Sequence, residues 1–524
     1  MHPFDSKLPS YTPETTMSES QWSRRDLLKA GAAIGLGATM TTRLSSTSTL
    51  SGLAAEYDRY DGLGLAQLIA ARQITPLELL TAVRERVELL NPKLNALCHL
   101  FFDKAEAQIH ENPGAGPFRG VPFALKDLGA YLTGTITSGG SRIWKNNVAT
   151  FDSTLVSRYQ QAGLIIFGKT NSPELGLTVT TESALFGQTH NPWNLDRTTG
   201  GSSGGSAALV ASRILPMAHG SDGGGSIRVP ASCCGIFGFK PTRDRVPLGP
   251  SSFEGWNGCS HHHALTISVR DSAALLDATA GQELGSPFFS PKPPRPFLEE
   301  IAQHPGSLRI ALITASPSGV PLDPECRKAA LDAAKLCESL GHKVEEAAFP
   351  IHNDVLSPAF LAVIQVSLAR TLDDAAAILG RPVNEQDVET ASWAMMQAGR
   401  NISSVAYSRA IVTMHQIGLT MARFQQDYDA ILSPTLSQPP VPLGVLSLSQ
   451  EPAIFGKNIT EFMHSTSLYN VTGQPSMSVP LHWTPDGLPV GVMFSGRFGE
   501  DALLLRLAAQ LEKAQPWANR RPQI

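Results

Sequence analysis

Two clusters of glycine and serine have the composition of a catalytic centre. They lie at 200–206 and 221–226 of the 524-residue chain, on either side of a run of small residues. Glycine loses more backbone entropy on folding than any other residue, so two such clusters need a reason. One reason is a backbone that takes unusual conformations and approaches a ligand closely. Flexible linkers are the alternative, but linkers are rarely followed directly by apolar segments such as 235–239.

The second cluster ends in a serine that could act as a nucleophile. Ser226 follows Gly223, Gly224 and Gly225, and these glycines allow a tight turn whose backbone N–H groups converge on one point. Such donors stabilise the charge on a carbonyl oxygen under attack. A serine hydroxyl needs a base to remove its proton. The chain has no strained GxSxG element with histidine and aspartate in the α/β-hydrolase order, so the base must lie elsewhere.

A lysine near the end of a predicted buried strand is the best candidate for that base. The strand lies within residues 120–128, and the lysine is Lys126. Lysine is rarely fully buried without a partner. It either extends its ammonium group to the surface or stays desolvated, which lowers its pKa so that it can act as a base near neutral pH.

The elements that must position these residues predict an α/β protein. Helices are predicted over 57–110, with Thr75-Pro76 starting one helix and Asn91-Pro92 ending it. A helix, a turn and a strand follow at 155–169. Further strands are predicted at 308–313, 431–435, 475–480 and 489–494, and further helices at 268–280, 324–340, most of 360–429, and 501–514. No strong linker separates two folding units, so we expect a tail at 1–54 and a single domain at 55–524.

The tail at 1–54 resembles a bacterial export signal. Residues 23–29 are similar to the twin-arginine motif. A short run rich in alanine and glycine follows at 30–40, and 52–54 offers small residues for a cleavage site. The alternative is a disordered tail with a chance pair of arginines. The order of the three features favours export, which predicts a periplasmic or secreted protein, with a cytoplasmic location as the alternative.

Composition excludes several other classes. The net charge of −4 gives no electrostatic case for nucleic acid or an anionic membrane, and we find no apolar run of membrane-spanning length. The six cysteines form no disulfide framework and no CxxC pair, and Cys233 and Cys234 are expected to be buried thiols. The contiguous histidines 261–263 would alternate between two faces in an extended segment, so we expect no metal site there.

These motifs resemble the amidase signature hydrolases. The family's GGSSGGSAA, GGSIR.PA and KPT elements match Gly200 to Thr242 with few changes. Other family elements match 120–127, 168–171, 472–480 and 487–491. The resemblance covers the chain from about Tyr57 to its end. It implies a large twisted mixed sheet covered by helices on both faces, and an amidase that cleaves carboxylic amide C–N bonds without a cofactor or metal.

The resemblance also implies a Ser–cisSer–Lys triad. Ser226 is the nucleophile, Ser202 follows a cis peptide and relays the proton, and Lys126 is the base. Acyl transfer then gives an acyl-enzyme that water releases as the acid. The implied oxyanion hole consists of the backbone N–H groups of Gly223, Gly224, Gly225 and Ser226. The side chains that match site-ordering positions are Ser203, Asp222 and Arg228.

The chain departs from the family pattern in three places. Ser221 stands where threonine is usual. Gly223 stands where a larger residue is frequent, which we expect to make this loop more flexible. Asp244-Arg245 replaces the usual Gly-Arg pair, which indicates a local change in a turn. None of these departures removes a reacting group.

Within the family, three segments most resemble the branch that contains 6-aminohexanoate cyclic-dimer hydrolase. They lie at 179–182, 187–194 and 218–222. The likeness implies a small-molecule substrate, a linear or cyclic amide with apolar chains. Trp144, residues 253–256 and the region around Trp393 are candidate pocket walls, with core or surface packing as the alternative. A homodimer is left open.

Two other functions remain as alternatives. A glutamine-dependent amidotransferase subunit would share the triad but work in a cytoplasmic assembly with a partner, which an export signal argues against. An inactive amidase-like binding protein would lack a reacting residue, whereas Lys126, Ser202 and Ser226 are all present. Hydrolysis of simple amides by the purified chain alone separates the first, and labelling of Ser226 by a fluorophosphonate separates the second.

We expect the double substitution Arg24→Lys and Arg25→Lys to keep the protein in the cytoplasm. The twin-arginine system recognises the arginine pair, and the substitution preserves its charge. Cell fractionation followed by immunoblotting measures the distribution. Unchanged export of the double variant would contradict the assignment of the tail.

Overall fold

The computed structural model describes residues 56–111 and 114–524. The predicted tail at 1–54, with its twin-arginine motif, lies outside these residues. The described residues all belong to one unit of dense internal contacts that spans Ser48–Ile524. The boundary between tail and domain at 54/55 stays a prediction.

The strands of the described chain are numbered in order. They are β1 Leu97–Leu100, β2 Pro122–Lys126, β3 Ile165–Thr170, β4 Glu182–Ser183, β5 Gly187–Gln188, β6 His190–Asn191, β7 Asn194–Thr198, β8 Met217–Asp222, β9 Phe237–Lys240, β10 His261–Thr266, β11 Arg309–Leu312, β12 Lys343–Glu346, β13 Ala430–Pro434, β14 Ser476–Trp483 and β15 Pro489–Gly496.

The α-helices are numbered in the same way. They are α1 Gly62–Ala70, α2 Pro76–Leu94, α3 Phe102–Glu111, α4 Thr154–Gln161, α5 Gly204–Ala211, α6 Arg228–Cys234, α7 Val269–Thr279, α8 Phe297–Glu300, α9 Pro324–Ser339, α10 Asn353–Leu379, α11 Thr390–Arg400, α12 Ser404–Phe424, α13 Pro452–Phe462, α14 Thr466–Thr472 and α15 Asp501–Ala514. Short 3₁₀ turns lie at Tyr57–Arg59, Arg142–Trp144 and Glu174–Gly176.

A mixed eight-stranded sheet forms the centre of the fold, in the order β12-β11-β13-β15-β14-β9-β10-β8. β11 runs parallel to β12 and β13, and the other neighbours are antiparallel. A three-stranded sheet, β1-β3-β2, packs with β2 beside β8. Helices α5, α6, α7, α9 and α15 pack on the large sheet. This arrangement confirms the predicted α/β class with a mixed sheet.

Most predicted elements lie within a few residues of their predicted ends. The strand expected in 120–128 is β2, and the helix, turn and strand of 155–169 are α4 and β3. The strands predicted at 475–480 and 489–494 are β14 and β15, which pair antiparallel. The helix predicted at 501–514 has those bounds. β2, β3 and β15 are buried along their whole length and are therefore apolar runs, whereas the helices bury one face.

The start and the end of helix α2 differ in how well the sequence predicts them. Thr75 and Glu78 form a capping box at the start, as the sequence pattern indicates. The prediction that Asn91-Pro92 ends the helix is wrong, because α2 continues to Leu94. Pro92 removes one donor from the last turn only, and the chain leaves the helix at Asn95, which has a left-handed conformation (φ 48°). The helical prediction for 57–110 also missed β1.

Helix α10 differs from the expectation that no segment is long and apolar enough to span a membrane. Among the described residues it is the one helix that passes this test by length and composition, with a mean hydropathy of 1.6 over its most apolar window. In the fold it packs on α11 and α12 and buries Val363, Leu368 and Leu372. Core helices satisfy the same test.

Candidate active site

Lys126, the last residue of β2, is fully buried at the junction of the two sheets. Its Nζ atom lies 2.6 Å from Ser202 Oγ and 2.9 Å from Ser221 Oγ. Burial lowers the lysine pKa to about 7, and the nearby negative charge of Asp222 only partly opposes this effect. A substantial fraction of this amine is therefore neutral near pH 7 and able to accept a proton.

Two other buried lysines have different surroundings. Lys169 donates from Nζ to Ala130 O and Thr137 Oγ1, at 2.6 Å each. Lys240 donates to Pro241 O at 2.8 Å. Burial lowers the pKa of both lysines, but neither contacts a serine hydroxyl among the described residues. Lys126 alone of the three can exchange a proton with Ser202.

The first glycine–serine cluster runs into the first turn of helix α5, which begins at Gly204. The Gly201–Ser202 peptide is cis, as the resemblance implied. A Cβ atom at Gly201 would overlap the backbone of Thr180, so this position requires glycine. Ser203 Oγ donates to Ser221 O at 3.1 Å and accepts from Ser221 N–H at 3.3 Å. Ser203 thus joins the first cluster to strand β8.

Ser226 lies in the second cluster, between β8 and α6, and borders a cavity. Its carbonyl oxygen accepts the N–H of Ser203 at 3.3 Å, which holds the two clusters together. Its Oγ atom has no hydrogen-bond partner within the described residues. This backbone contact places the residue after Ser202 against Ser226, and the described part of the chain shows no hydrogen bond between Ser202 Oγ and Ser226 Oγ.

The backbone of the second cluster is organised around the carboxylate of Asp222. This carboxylate accepts the N–H groups of Gly225 at 2.7 Å and Ile227 at 3.0 Å. The role predicted for Gly225 in the oxyanion hole is therefore corrected, because its N–H is already bound to Asp222. The remaining predicted donors have no acceptor within the described chain; they are the N–H groups of Gly223, Gly224 and Ser226.

A buried ion pair holds this carboxylate in place. Asp222 and Arg228 both have no exposed side-chain surface, and Arg228 Nη2 lies 2.8 Å from Asp222 Oδ1. Burial raises the pKa of Asp222, but the Arg228 charge and the hydrogen bonds more than offset this and hold the pKa far below its usual range. Asp222 is consequently an anion throughout the physiological pH range.

Two residues of helix α14 complete this arrangement, and the sequence reasoning missed both. Asn470 donates to Asp222 O at 2.9 Å and accepts from Arg228 at 2.6 Å. Thr466 donates from Oγ1 to Gly224 O at 2.6 Å. Their only sequence signal is proximity to the family element that begins at Thr472, because a polar side chain on a seven-residue helix has no distinctive pattern.

His219 is a third residue that the sequence reasoning missed. It is fully buried on β8 and its Nδ1 atom accepts the backbone N–H of Lys126 at 3.1 Å. The ring proton must therefore lie on Nε2, which donates to Nδ1 of His262 at 3.0 Å. Burial lowers the pKa of His262 to about 4, so the pair is neutral near pH 7. β2 and β8 are not paired by backbone hydrogen bonds. The His219 side chain therefore links β8 to β2 at Lys126.

The three adjacent histidines lie on β10 and alternate as predicted. His262 contacts His219, whereas His263 hydrogen bonds to Ser272 Oγ at 2.8 Å. One other cluster of metal-ligating groups occurs in the described chain, formed by Cys98, His99 and Asp127. Three observations argue against a metal there. Ser138 already donates to the Asp127 carboxylate, burial raises the thiol pKa of Cys98, and the charge of Lys169 acts on all three residues.

The cavity next to Ser226 has a volume of about 240 Å³ and an apolar lining. It contains no aspartate, glutamate, lysine or arginine, and burial lowers the pKa of His464, its one histidine, to about 3. The walls come from the second cluster, from loop residues at 176–179, 256, 318 and 463–464, and from helices α10, α11, α13 and α14. The large side chains among them are Trp256, Phe360, Ile364, Met395, Phe455 and Ile459.

The pocket-wall predictions are correct in part. Of residues 253–256, Trp256 lines the cavity and the other three do not; Met395, which lies close to Trp393 in the sequence, also lines it. Trp144 and Trp393 do not line it. Both are partly buried and pack against a separate apolar cluster that includes residues of α10. Core packing, the alternative given for these two residues, is therefore what the structure shows. Aromatic composition alone could not distinguish these two environments.

Two departures from the family pattern have structural explanations. A Cβ atom at Gly223 would lie 2.6 Å from the ring of Trp256, so the ring occupies the space that a larger residue at position 223 would need. The Trp256 ring therefore covers the loop at this position, and the expected greater flexibility of the loop stays a prediction. Asp244 has a left-handed backbone (φ 60°) and its carboxylate accepts a hydrogen bond from Ser286. Asparagine and aspartate tolerate this conformation better than other side chains.

Comparison with known proteins agrees with this fold. The profile of the Amidase family matches residues 78–505. A 6-aminohexanoate-cyclic-dimer hydrolase of Pseudomonas sp. (strain NK87) is 37% identical over 478 residues, which cover 88% of this chain and 96% of that protein. An acylamidase of Rhodococcus erythropolis is 33% identical over 468 residues, covering 87% and 96% of the two chains.

A solved structure of 6-aminohexanoate cyclic dimer hydrolase in complex with its substrate superimposes with a TM-score of 0.84. It is 36% identical and covers 89% of this chain and 99% of the other. The chain belongs to the amidase family. It is a hydrolase that acts on amide C–N bonds other than peptide bonds.

We expect Arg228→Met to lower the free energy of unfolding by about 3–5 kcal/mol, because it leaves the Asp222 carboxylate buried without a counter-ion. Urea unfolding followed by circular dichroism measures the change. The matched control is Arg497→Met, which breaks a half-exposed pair with Asp429 and should cost less than about 1 kcal/mol. Equal losses in the two variants would contradict the importance given to the buried pair.

We expect His219→Leu to lower kcat for amide hydrolysis about 10-fold or more, because a base displaced by a fraction of an ångström transfers protons poorly. It should also cost about 1–3 kcal/mol of stability, since the Lys126 N–H loses its acceptor. His263→Leu is the control, as this buried ring contacts Ser272 and not Lys126. Steady-state kinetics and urea unfolding separate the effects; an equal loss of kcat in both variants would argue against a positioning role.

Proposed function

We propose that the chain hydrolyses small uncharged amides through a covalent acyl-enzyme on Ser226. The observation that carries the proposal is the 2.6 Å contact between Lys126 Nζ and Ser202 Oγ, beside an uncharged cavity that Ser226 borders. A buried base, a serine hydroxyl and a second serine at a substrate cavity are the parts that nucleophilic acyl transfer requires.

In the first half of the reaction, Ser226 Oγ attacks the amide carbonyl carbon. Its proton passes to Ser202 Oγ as the proton of Ser202 passes to the neutral Nζ of Lys126. The carbonyl oxygen becomes negatively charged, and the free N–H groups of Gly223, Gly224 and Ser226 are the donors available to stabilise it. The proton then returns from Lys126 through Ser202 to the amide nitrogen. The C–N bond breaks, and the amine leaves.

In the second half, water replaces the amine and the same groups act again. Water attacks the ester carbonyl while its proton moves through Ser202 to Lys126. Collapse of the second tetrahedral intermediate breaks the bond to Ser226 Oγ, and the proton returns to the serine. The products are a carboxylic acid and an amine, and the enzyme returns to its starting protonation state.

The cavity supports an uncharged and largely apolar substrate. A charged substrate group would have to leave water without a charged partner, because no charged residue lines the cavity. A cyclic amide formed from 6-aminohexanoate has every amino and carboxyl group condensed, so it carries no charge. Its linear counterpart has a free ammonium and a free carboxylate, and the same argument disfavours glutamine and therefore an amidotransferase role.

We further propose export through the twin-arginine pathway. The support for this proposal is the order of the arginine pair, the short apolar run and the small residues in 1–54. The pathway carries folded proteins, so a buried active site could be complete before export.

We expect kcat/KM to rise with pH up to a plateau, with an apparent pKa near the value of about 7 for Lys126. The sign follows from the mechanism, since the protonated lysine present at lower pH cannot accept a proton. A pH profile with a neutral amide measures it. Asp222 and His262 titrate at much lower pH. Activity that is flat from pH 5 to 9 would contradict a role for Lys126 as the base.

We expect the purified chain to hydrolyse the cyclic dimer of 6-aminohexanoate and to reject both the linear dimer and glutamine. Ser226→Ala should lower kcat about 10⁴-fold or more with the fold retained. Ser467→Ala, which removes another hydroxyl from the same cavity, is the control and should retain most activity. Amine release measured by chromatography tests both points. Near wild-type turnover in Ser226→Ala would disprove the mechanism, and preference for a charged substrate would disprove the selectivity.

A further inference from the structure

A second cavity, separate from the one at Ser226, is lined by arginines. It has a volume of about 480 Å³, and its walls come from residues 58–61, the turn after α5, the start of α7 and the segment after α15. Its charged residues are Arg59, Arg213, Arg270, Arg521, Asp58 and Asp61. Four arginines against two aspartates leave an excess of positive charge in a protein whose net charge is −4.

Both aspartates of this cavity already have arginine partners. Asp58 pairs with Arg521, and Arg86 lies 3.6 Å from the same carboxylate. Asp61 pairs with Arg270. Each carboxylate of the cavity therefore already forms an ion pair with an arginine other than Arg213.

Arg213 is the residue on which the argument for this cavity depends, because it is buried and forms no ion pair with a described carboxylate. Only 7% of it is exposed, and no carboxylate of the described residues lies within 4 Å of its guanidinium group. One nitrogen donates to Ala518 O at 2.6 Å, but the buried Nε has no hydrogen-bond partner in the described chain. Burial and the charge of Arg521 lower its pKa to about 10, and the nearby charge of Asp58 opposes this effect only in part.

The backbone conformation at Arg213 disfavours any side chain, and an arginine is present there nevertheless. The residue follows the end of α5 in a left-handed conformation (φ 61°), and its N–H donates to Val210 O. Helices that end in this way usually place glycine at this position, since side chains disfavour it. An arginine here therefore carries a conformational cost that a glycine would avoid.

We propose that this arginine-lined cavity binds a small oxyanion, such as phosphate or a carboxylate. Guanidinium groups present paired N–H donors that match the oxygens of these anions. The anion would supply a direct ion-pair partner for Arg213, with Arg59 at the rim, which is exposed and has no ion pair among residues 56–111 and 114–524. None of the residues assigned to amide hydrolysis lines this cavity, so the proposal is independent of the catalytic assignment.

The test measures binding of inorganic phosphate and of acetate to the full chain, with sodium chloride at matched ionic strength as the reference. Isothermal titration gives the dissociation constant, and saturating anion should raise Tm by about 2 °C or more. Binding of phosphate alone identifies a phosphate site, and binding of acetate identifies a carboxylate site. Either result supports the proposal, whereas no effect beyond that of chloride for both anions overturns it.

Variants locate the binding within the molecule. Arg213→Gln should weaken anion binding at least 10-fold, and Arg59→Gln, which changes an exposed residue, should weaken it several-fold without affecting the fold. Arg409→Gln, on the exposed face of α12, is the matched control and should bind as the wild type does. If Arg213→Gln does not fold, Arg59→Gln alone decides. Wild-type anion affinity in the Arg59 and Arg213 variants would overturn the assignment to this cavity.

Discussion

The active-site loop depends on a single buried anion. Consecutive glycines cannot hold their own N–H groups in position, because each has a wide choice of backbone conformations. The carboxylate of Asp222 restricts that choice by accepting the backbone N–H groups of Gly225 and Ile227. Arg228 neutralises the carboxylate, and Asn470 hydrogen bonds to both. A buried ion pair contributes little net stability. Its value here is that a loop rich in glycine keeps a single conformation.

The base, Lys126, is positioned by uncharged groups, in contrast to the loop, which is positioned by an anion. Lys126 lies where the small sheet meets the large sheet, and two kinds of contact define its position there. The hydroxyls of Ser202 and Ser221 approach its amine, whereas the ring of His219 holds its backbone. All of these groups are uncharged, so they position the lysine without restoring the stabilisation of its charge that burial removes. A neutral polar shell is thus what allows a lysine to act as a base near neutral pH.

The sequence identified the parts of the site that lie within motifs. Lys126, Ser202 and Ser226 come from three separate segments, and each has a local pattern that marks it. Thr466 and Asn470 could not be found in this way, because they reach the loop from more than 200 residues further along the chain and lie in a segment without a pattern. The error at Gly225 has another origin, since the direction of an N–H group depends on a carboxylate three residues earlier. The continuation of α2 through Pro92 reflects packing that overrides a local preference.

The contact between Gly223 and Trp256 links two positions that are distant in sequence. The indole ring fills the volume next to the loop that a side chain at 223 would otherwise occupy, and it also forms part of the cavity wall. A relative with a bulky residue at the first position must therefore carry a smaller or displaced one at the second. The two positions should covary across the family, and the shape of the substrate cavity should change with them. The substrate range of this group would then evolve through paired changes in side-chain size at positions 223 and 256, while the reacting groups stay the same.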